Sequence, residues 1–217
     1  MDIRELRGRA ELRGVEELQK EVWSCSDLEV LPAIHMTAAR EVGAILLGAF
    51  AGGTLIGFVY GFPGFEDDRR VIHSDMLAVR DEYRDRGVGR ALKLAQREHA
   101  LARGVDRITW TFDPFQARNA YLNFMRLGVI ADRYLCDFYG ETSSPLHAGG
   151  TDRLWVTWHL HGRPPIEETP ERVSIASREK TRAAFEAAFA KGLIAIGFDR
   201  DRSKYVMGVQ AVDTRDS

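Results

Sequence analysis

The chain is poor in the residues that most quickly narrow a protein's chemistry. Cysteine occurs only at Cys25 and Cys136 among 217 residues, without the spacing of a zinc, redox or disulfide framework, so both are read as buried or inert thiols. Charge of one sign is not in excess. Thirty Lys+Arg stand against 32 Asp+Glu, a net charge of −2, which leaves no basic field for nucleic acid or an anionic membrane. No apolar run approaches the roughly 20 residues needed to span a bilayer. The start, Met1-Asp2-Ile3-Arg4-Glu5-Leu6-Arg7, is too charged for a signal-peptide core, so a cytoplasmic protein is expected. None of Lys20, Lys93, Lys180, Lys191 or Lys204 follows a glycine, which excludes the Gly-Lys-Ser/Thr phosphate loop.

What is present is ordinary globular material, 45% hydrophobic and 29% charged, enough for one sizeable domain with an appendage. Apolar spacing predicts helices over Leu12–Trp23 and Ile34–Val42. Strands are expected over Ala44–Phe50 and Leu55–Phe62, joined by Gly52-Gly53, a pair suited to a hairpin turn. The charged stretch Pro63–Arg70 reads as a loop. From Gly89 to near Gly104 an amphipathic helix is expected, with Val88, Ala91, Leu92, Ala95 and Ala102 on the apolar face and Arg90, Lys93 and Arg97 elsewhere. Ile108, Trp110 and Phe112 alternate as a strand. A helix over Arg118–Leu127 and a strand region over Ile130–Tyr139 follow. Strand, crossover helix and strand imply parallel neighbours beside an antiparallel hairpin, hence an α/β (α+β) mixed sheet. After Leu160, His161-Gly162-Arg163-Pro164-Pro165 reads as a linker, giving a 1–160 domain and a 161–217 extension that packs on it. The extension is expected to hold a short strand over Arg172–Ala176, a helix from Ser177 and a hairpin of Leu193–Phe198 with Tyr205–Val209.

The most informative segment runs from His73 to Gly89, out of a strand and through Arg84-Asp85-Arg86-Gly87-Val88-Gly89 into a helix. Glycines without Cβ admit unusual φ values and close approach of a ligand. The helix behind them offers first-turn N–H groups and the positive end of its dipole to an anion such as a diphosphate. Leu92 stands where a dinucleotide fingerprint needs its third glycine. A plain strand-to-helix turn would look the same.

The pattern Arg84-x-x-Gly87-x-Gly89 resembles the pyrophosphate loop of the GNAT acyltransferase superfamily, and Asn119-Ala120 with Leu127-Gly128 resembles its fourth helix. Trp110-Thr111-Phe112-Asp113-Pro114, Arg118-Asn119-Ala120, Asn123, Tyr139-Gly140 and Thr151-Asp152-Arg153-Leu154 resemble a bacterial subfamily of predicted GNAT acetyltransferases over most of the chain. The resemblance implies a GNAT fold with a splayed pair of central strands, and acetyl-CoA or another short acyl-CoA as cosubstrate. It implies that Met76, Leu77, Ala78 and Val79 bind the pantetheine arm through their backbone beside a bulge. Arg84, Asp85, Arg86, Gly87, Val88, Gly89 and Arg90 would hold the diphosphate; Arg84 and Arg86 pairing with Asp81 or Asp85 is the surface alternative. Asn119 and Asn123, four apart on one helix face, would meet the pantetheine or the substrate, or else face solvent.

Transfer to an amine needs a base, because a primary amine of pKa about 10 is protonated near neutrality. His73 occupies the strand position of a base in related families, and Asp75, two residues on, shares its face by strand alternation. The catalytic candidates are therefore His73, with Asp75 orienting it, and Tyr121 as a substitute acid, since Phe124 stands where many relatives carry a tyrosine. The subfamily pattern has histidine where this chain has Asp75. A half-buried structural His73 with a charge partner, and Tyr121 as a core aromatic, are the plainer alternatives. No metal site is expected from His159 and His161. The expected activity is acyl-CoA-dependent N-acylation, by acetyl or another short group such as succinyl, of a primary amine in a small molecule such as an amino acid. A protein-lysine acceptor or a non-catalytic acyl-CoA-binding module is the alternative, and a homodimer is left open.

Overall fold

A computed structural model describes residues 1–140 and 147–211. The elements are β1 (Asp2–Glu5), α1 (Gly8–Trp23), α2 (Ala33–Glu41), β2 (Ile45–Ala51), β3 (Thr54–Glu66), β4 (Arg69–Val79), α3 (Val88–Leu101) and β5 (Arg107–Phe112). They continue with α4 (Ala117–Ala120) running into a π-helical segment (Tyr121–Leu127), then β6 (Ile130–Leu135), β7 (Arg153–His159), β8 (Ile166–Ser174), α5 (Arg178–Ala190), β9 (Ile194–Asp199) and β10 (Lys204–Gln210). This is the mixed α/β arrangement expected from the sequence. No helix among the described residues is long and apolar enough to cross a membrane. The chain divides into two compact units, one built on Met1–Thr109 and one that starts at Trp110 and resumes at Thr151.

In the first unit β1 to β4 form an antiparallel run, and β4 then pairs in parallel with the start of β5 at Ile72↔Ile108 and His73↔Thr109. The apolar stripe of α1 (Leu12, Val15, Leu18) closes over the sheet with Leu6, Met36, Leu46, Phe58 and Tyr60, each removed from water at roughly 25 cal/mol per Å². The stretch 63–70, expected as a loop, is instead the end of a long hairpin with Phe65↔Arg70 and Glu66↔Arg69 in register. Asp67 and Asp68, at φ 46° and 61°, make the two-residue turn, a conformation Asp tolerates better than most residues. Pro63 lies beyond the last β2 partner, Gly61, so its missing N–H removes no bond on that side. The short β1, unforeseen, is a charged edge strand.

The helix α3 departs from its expected face. Its buried residues are Val88, Leu92, Lys93, Gln96 and Ala100, so Lys93 points inward rather than to solvent. Its Nζ lies 2.8 Å from Ser74 Oγ and 3.4 Å from Gln96 Oε1, and these polar partners offset part of the cost of burying it.

In the second unit the strand order is β5-β7-β6-β9-β10-β8, so the residues after Leu160 belong with residues 110–140. The strand β7, Arg-Leu-Trp-Val-Thr-Trp-His, ends at His159, which the sequence places on a strand end, and its Leu154, Val156 and Trp158 alternate inward. The expected strand Arg172–Ala176 starts earlier, at Ile166, because a register shift against β10 between Val206 and Gly208 absorbs Pro170. The strand β6 ends at Leu135, short of Tyr139. Asp152, its side chain fully buried, ties this unit together. Its carboxylate accepts from Tyr134 Oη at 2.7 Å, the Asp137 N–H at 3.0 Å and Arg182 at 2.8 Å. Burial pushes this carboxyl up, yet Arg182, the Asp137 N–H and Tyr134 outweigh it, and the pKa settles below the ordinary carboxylate value.

Candidate active site

Within the first unit β4 carries the candidates His73, Asp75 and Met76–Val79, and its ladder with β3 is irregular where they begin. Phe62 is opposite His73 and Tyr60 opposite Met76, so Ser74 and Asp75 together face the single residue Gly61. This is a β-bulge. Gly61 suits the place because a Cβ there would come within 2.7 Å of Gln96 Nε2 and 2.9 Å of the His73 carbonyl oxygen. The bulge corrects the expectation that simple alternation puts His73 and Asp75 on one face. His73 is half-buried, Ser74 buried and Asp75 exposed. After it come Met76, Leu77, Ala78 and Val79, paired to Tyr60, Val59, Phe58 and Gly57.

The His73 ring is oriented by Thr109, with Nδ1 3.1 Å from Oγ1, and packs 5.5 Å from the Phe62 ring. Burial first, and then the positive charge of Lys93, pull its pKa down to about 4. Burial also holds Lys93 well below the ordinary lysine value. His73 is thus the neutral imidazole, able to accept a proton. Asp75 answers to different neighbours. It keeps accessible surface, but crowding by surrounding atoms raises its pKa, and His35 on α2 opposes that rise.

The turn after β4 is the segment expected to hold the diphosphate. Asp85 and Gly87 take φ of 61° and 80°, and Gly87 is the left-handed N-cap of the 14-residue α3. Left-handed residues on either side of Arg86, just ahead of a helix start, can turn backbone N–H groups toward one concavity. A Cβ built on Gly87 would meet nothing within 4 Å, so glycine is needed here for its φ and the space over the turn is open. Gly89 sits 3.7 Å, from its Cβ position, to Leu77 Cδ2, bringing the helix start onto β4. Arg86 and Arg90 are exposed at the turn. Arg84 is otherwise engaged, donating from Nε to the Val79 carbonyl at 3.2 Å and pairing with Asp81 at 2.7 Å.

Asn119, Asn123 and Tyr121 lie in the second unit. Asn119 is exposed and Asn123 buried, so the two do not present a common surface. The helix changes pitch at Tyr121, and the Gly128 N–H reaches back five residues to the Asn123 carbonyl. Tyr121 is half-buried with the Arg200 guanidinium 5.7 Å from its ring centre. Phe124 is core, edge-on to Phe112 and Tyr205. The Tyr205 hydroxyl does not supply the missing phenol, because it donates to the Pro114 carbonyl at 2.7 Å. Both cysteines hold their protons, burial being the first cause in each case.

The model of the acetyltransferase (GNAT) family matches residues 10–128. None of the curated proteins matches the chain. Among solved structures it is similar to aminoglycoside 6'-acetyltransferase type Ii, at 18% identity and a TM-score of 0.59 over 76% of this chain and 100% of that one. An aminoglycoside 6'-N-acetyltransferase complexed with coenzyme A gives 16%, 0.56, 76% and 100% in the same order. Naa20 of Chaetomium thermophilum, in complex with a bisubstrate analogue, gives 16%, 0.59, 74% and 87%.

Proposed function

Because the chain belongs to the acetyltransferase (GNAT) family, we propose that it moves an acetyl or other short acyl group from an acyl-CoA to a primary amine. The supporting observation is the sequence of parts along one stretch of the first unit. A neutral His73, a bulge and the backbone of Met76–Val79 lead into a helix capped by left-handed Gly87. These residues fit the cosubstrate. The backbone N–H groups at Val88, Gly89 and Arg90, with Arg86 and Arg90 nearby, would take the diphosphate, and the strand after the bulge would take the pantetheine amides. The thioester, when bound, supplies an activated carbonyl. His73 then accepts the proton that the amine nitrogen sheds as it bonds to carbon, and the C–S bond breaks to release coenzyme A as a thiolate that takes up a proton from solvent. A base of pKa about 4 cannot take a proton from an ammonium of pKa about 10, so the acceptor enters as the free amine and His73 takes the proton only as the C–N bond forms. Thr109 fixes which ring nitrogen is presented.

The acceptor we favour is a small-molecule amine such as an amino acid. The second reading, a non-catalytic acyl-CoA-binding module, draws on Phe124, whose burial leaves no phenol at the place expected of a general acid. Both readings predict that coenzyme A raises the melting temperature and that Gly87→Glu abolishes the rise, by placing a strained, negatively charged side chain in the anion site. An unchanged rise in a folded variant would put the site elsewhere. Thiol release from acetyl-CoA and succinyl-CoA, screened against amino acids, polyamines and peptides, separates the two, since a binding module releases none.

A further inference from the structure

Asp75 was expected to orient His73, but in the structure Thr109 does so, with Oγ1 3.1 Å from Nδ1. Among the described residues no hydrogen bond or ion pair engages the Asp75 carboxylate. The basic groups of this part of the first unit answer elsewhere. Lys93 lies 2.8 Å from Ser74 Oγ, and His73, with a pKa of about 4, carries no charge at neutral pH. His35 on α2 is the basic side chain whose charge reaches Asp75. Asp75 is exposed, yet surrounding atoms crowd it enough to raise its carboxyl above the ordinary value. A carboxylate partly stripped of water, with no bonded partner of its own, gains from a cation that a ligand brings.

His73 and Asp75 also border one aromatic surface, despite the broken alternation between them. The His73 ring packs 5.5 Å from Phe62, Phe62 lies 6.1 Å from Tyr60, and the Tyr60 phenol is within electrostatic reach of Asp75. Tyr60 is buried whereas Phe62 is exposed, so the ring beside His73 is open to a ligand. Two residues along a strand rise roughly 7 Å, a separation that the carbon chain of a short diamine can bridge.

We propose that Asp75 selects the acceptor by holding a second positive charge on it, which makes the substrate a short diamine. One amine is presented to His73, the hydrocarbon between lies on Phe62, and the other ammonium pairs with the Asp75 carboxylate. The proposal rests on the transferase reading above and narrows its acceptor to amines with a second cation; an amino acid qualifies only through a basic side chain. The second ammonium also lowers the pKa of the reacting amine by like-charge repulsion, which enlarges the free-amine fraction that a weakly basic His73 requires.

The test compares each diamine with the monoamine of the same chain length, putrescine with butylamine and cadaverine with pentylamine. Thiol release from acetyl-CoA is followed in the native protein, Asp75→Asn and Asp75→Glu. The native protein should prefer the diamine in kcat/KM, and Asp75→Asn should lower that preference by about 5- to 20-fold, between the worth of an exposed ion pair and that of a charged hydrogen bond. The loss should sit in KM, and Asp75→Glu should recover part of it. Added salt should weaken the preference in the native protein but not in Asp75→Asn. Equal losses for diamine and monoamine would assign Asp75 to the reacting centre or to the bulge and overturn the proposal, as would turnover confined to amines with no second cation. If no amine releases thiol from the native protein, the transferase reading fails, and the site is judged by calorimetric titration in the presence of coenzyme A. Putrescine should then bind more tightly than butylamine, and Asp75→Asn should remove the advantage; equal binding of the two overturns the site. Should the asparagine variant not fold, the native protein decides, since a diamine preference that salt leaves untouched counts against the pairing.

Discussion

Each unit buries a charged residue, and the two are treated in opposite ways. Asp152 is surrounded by donors, Arg182 and Tyr134 among them, which hold it ionised below the ordinary carboxylate pKa. Lys93 is met by an alcohol and an amide, which can accept its N–H groups but carry no charge, and its pKa falls well below the lysine value. One site fixes a charge and the other discourages one. The difference follows the use of each place: the Asp152 cluster joins β6, β7 and α5, whereas Lys93 lies under the bulge beside His73, where a lasting cation would depress further the basicity of the imidazole.

The sharpest way to break this comparison is through His73. His73→Ala should lower turnover by about a hundred- to ten-thousandfold while leaving coenzyme A affinity nearly unchanged. In the native enzyme, kcat/KM corrected for the free-amine fraction of the acceptor should show an acid limb near pH 4, well below an ordinary histidine, and the variant should lose it. A limb near 6.5 would show that the ring is not desolvated as the structure has it. For stability the sign is the same: the unfolded chain protonates near 6.5 and the folded one near 4, so His73 lowers stability as pH falls between those values.

Next in size is Asp152→Ala. It leaves Tyr134 and the Asp137 N–H without their acceptor and should cost about 3 kcal/mol, the low end for removing one partner of a buried ion pair, since Arg182 keeps 30% exposure and can rehydrate. Urea unfolding measures this. With its folded pKa below 3.8, the Asp152 contribution is present above that value and fades as pH falls through the folded one. A loss under about 1 kcal/mol would demote the cluster to surface pairing.

Last, and most specific, is Lys93→Met. Above its folded pKa and below 10.5, the unfolded chain binds a proton at Lys93 that the folded chain does not, so stability should climb with pH at about 1.4 kcal/mol per unit. The native-minus-variant difference in unfolding free energy, followed downward from pH 10, should carry that slope until the folded pKa is passed. A flat difference means that Lys93 stays charged in the fold, and the contrast with Asp152 is lost.

Much of the first unit was legible in the sequence because its signals are local. Gly87 and Gly89, the Gly52-Gly53 turn and the alternation of Ile108, Trp110 and Phe112 each depend on residues a few positions apart. The left-handed Gly87 caps α3 where those glycines placed a helix start. What stayed hidden depends on partners distant in the chain. Lys93 reads as a solvent-facing residue until Ser74, 19 positions earlier, is placed beneath it. Thr109 cannot be recognised as the partner of His73 before β4 and β5 are in register. The bulge has no local mark, since a glycine at 61 fits a regular strand equally well. The burial of Asn123 follows from a change of helical pitch that no spacing rule of 3.6 residues foresees. The alternation of Leu154, Val156 and Trp158 in β7 is a local signal of the same legible kind.

The bulge also divides β4 into two halves of opposite phase. Before Ser74 the strand alternates on one count, and after Asp75 on the other, because two residues occupy the place of one. Deleting Ser74 or Asp75 would therefore not merely shorten the strand. It would either slide Met76–Val79 along β3 or turn their inward side chains outward, while an insertion in the exposed turn at Asp67-Asp68 would disturb no count at all. Tolerance to length change in this protein is thus set by parity: it should be lowest within β4 and high a few residues away at the tip of the same hairpin.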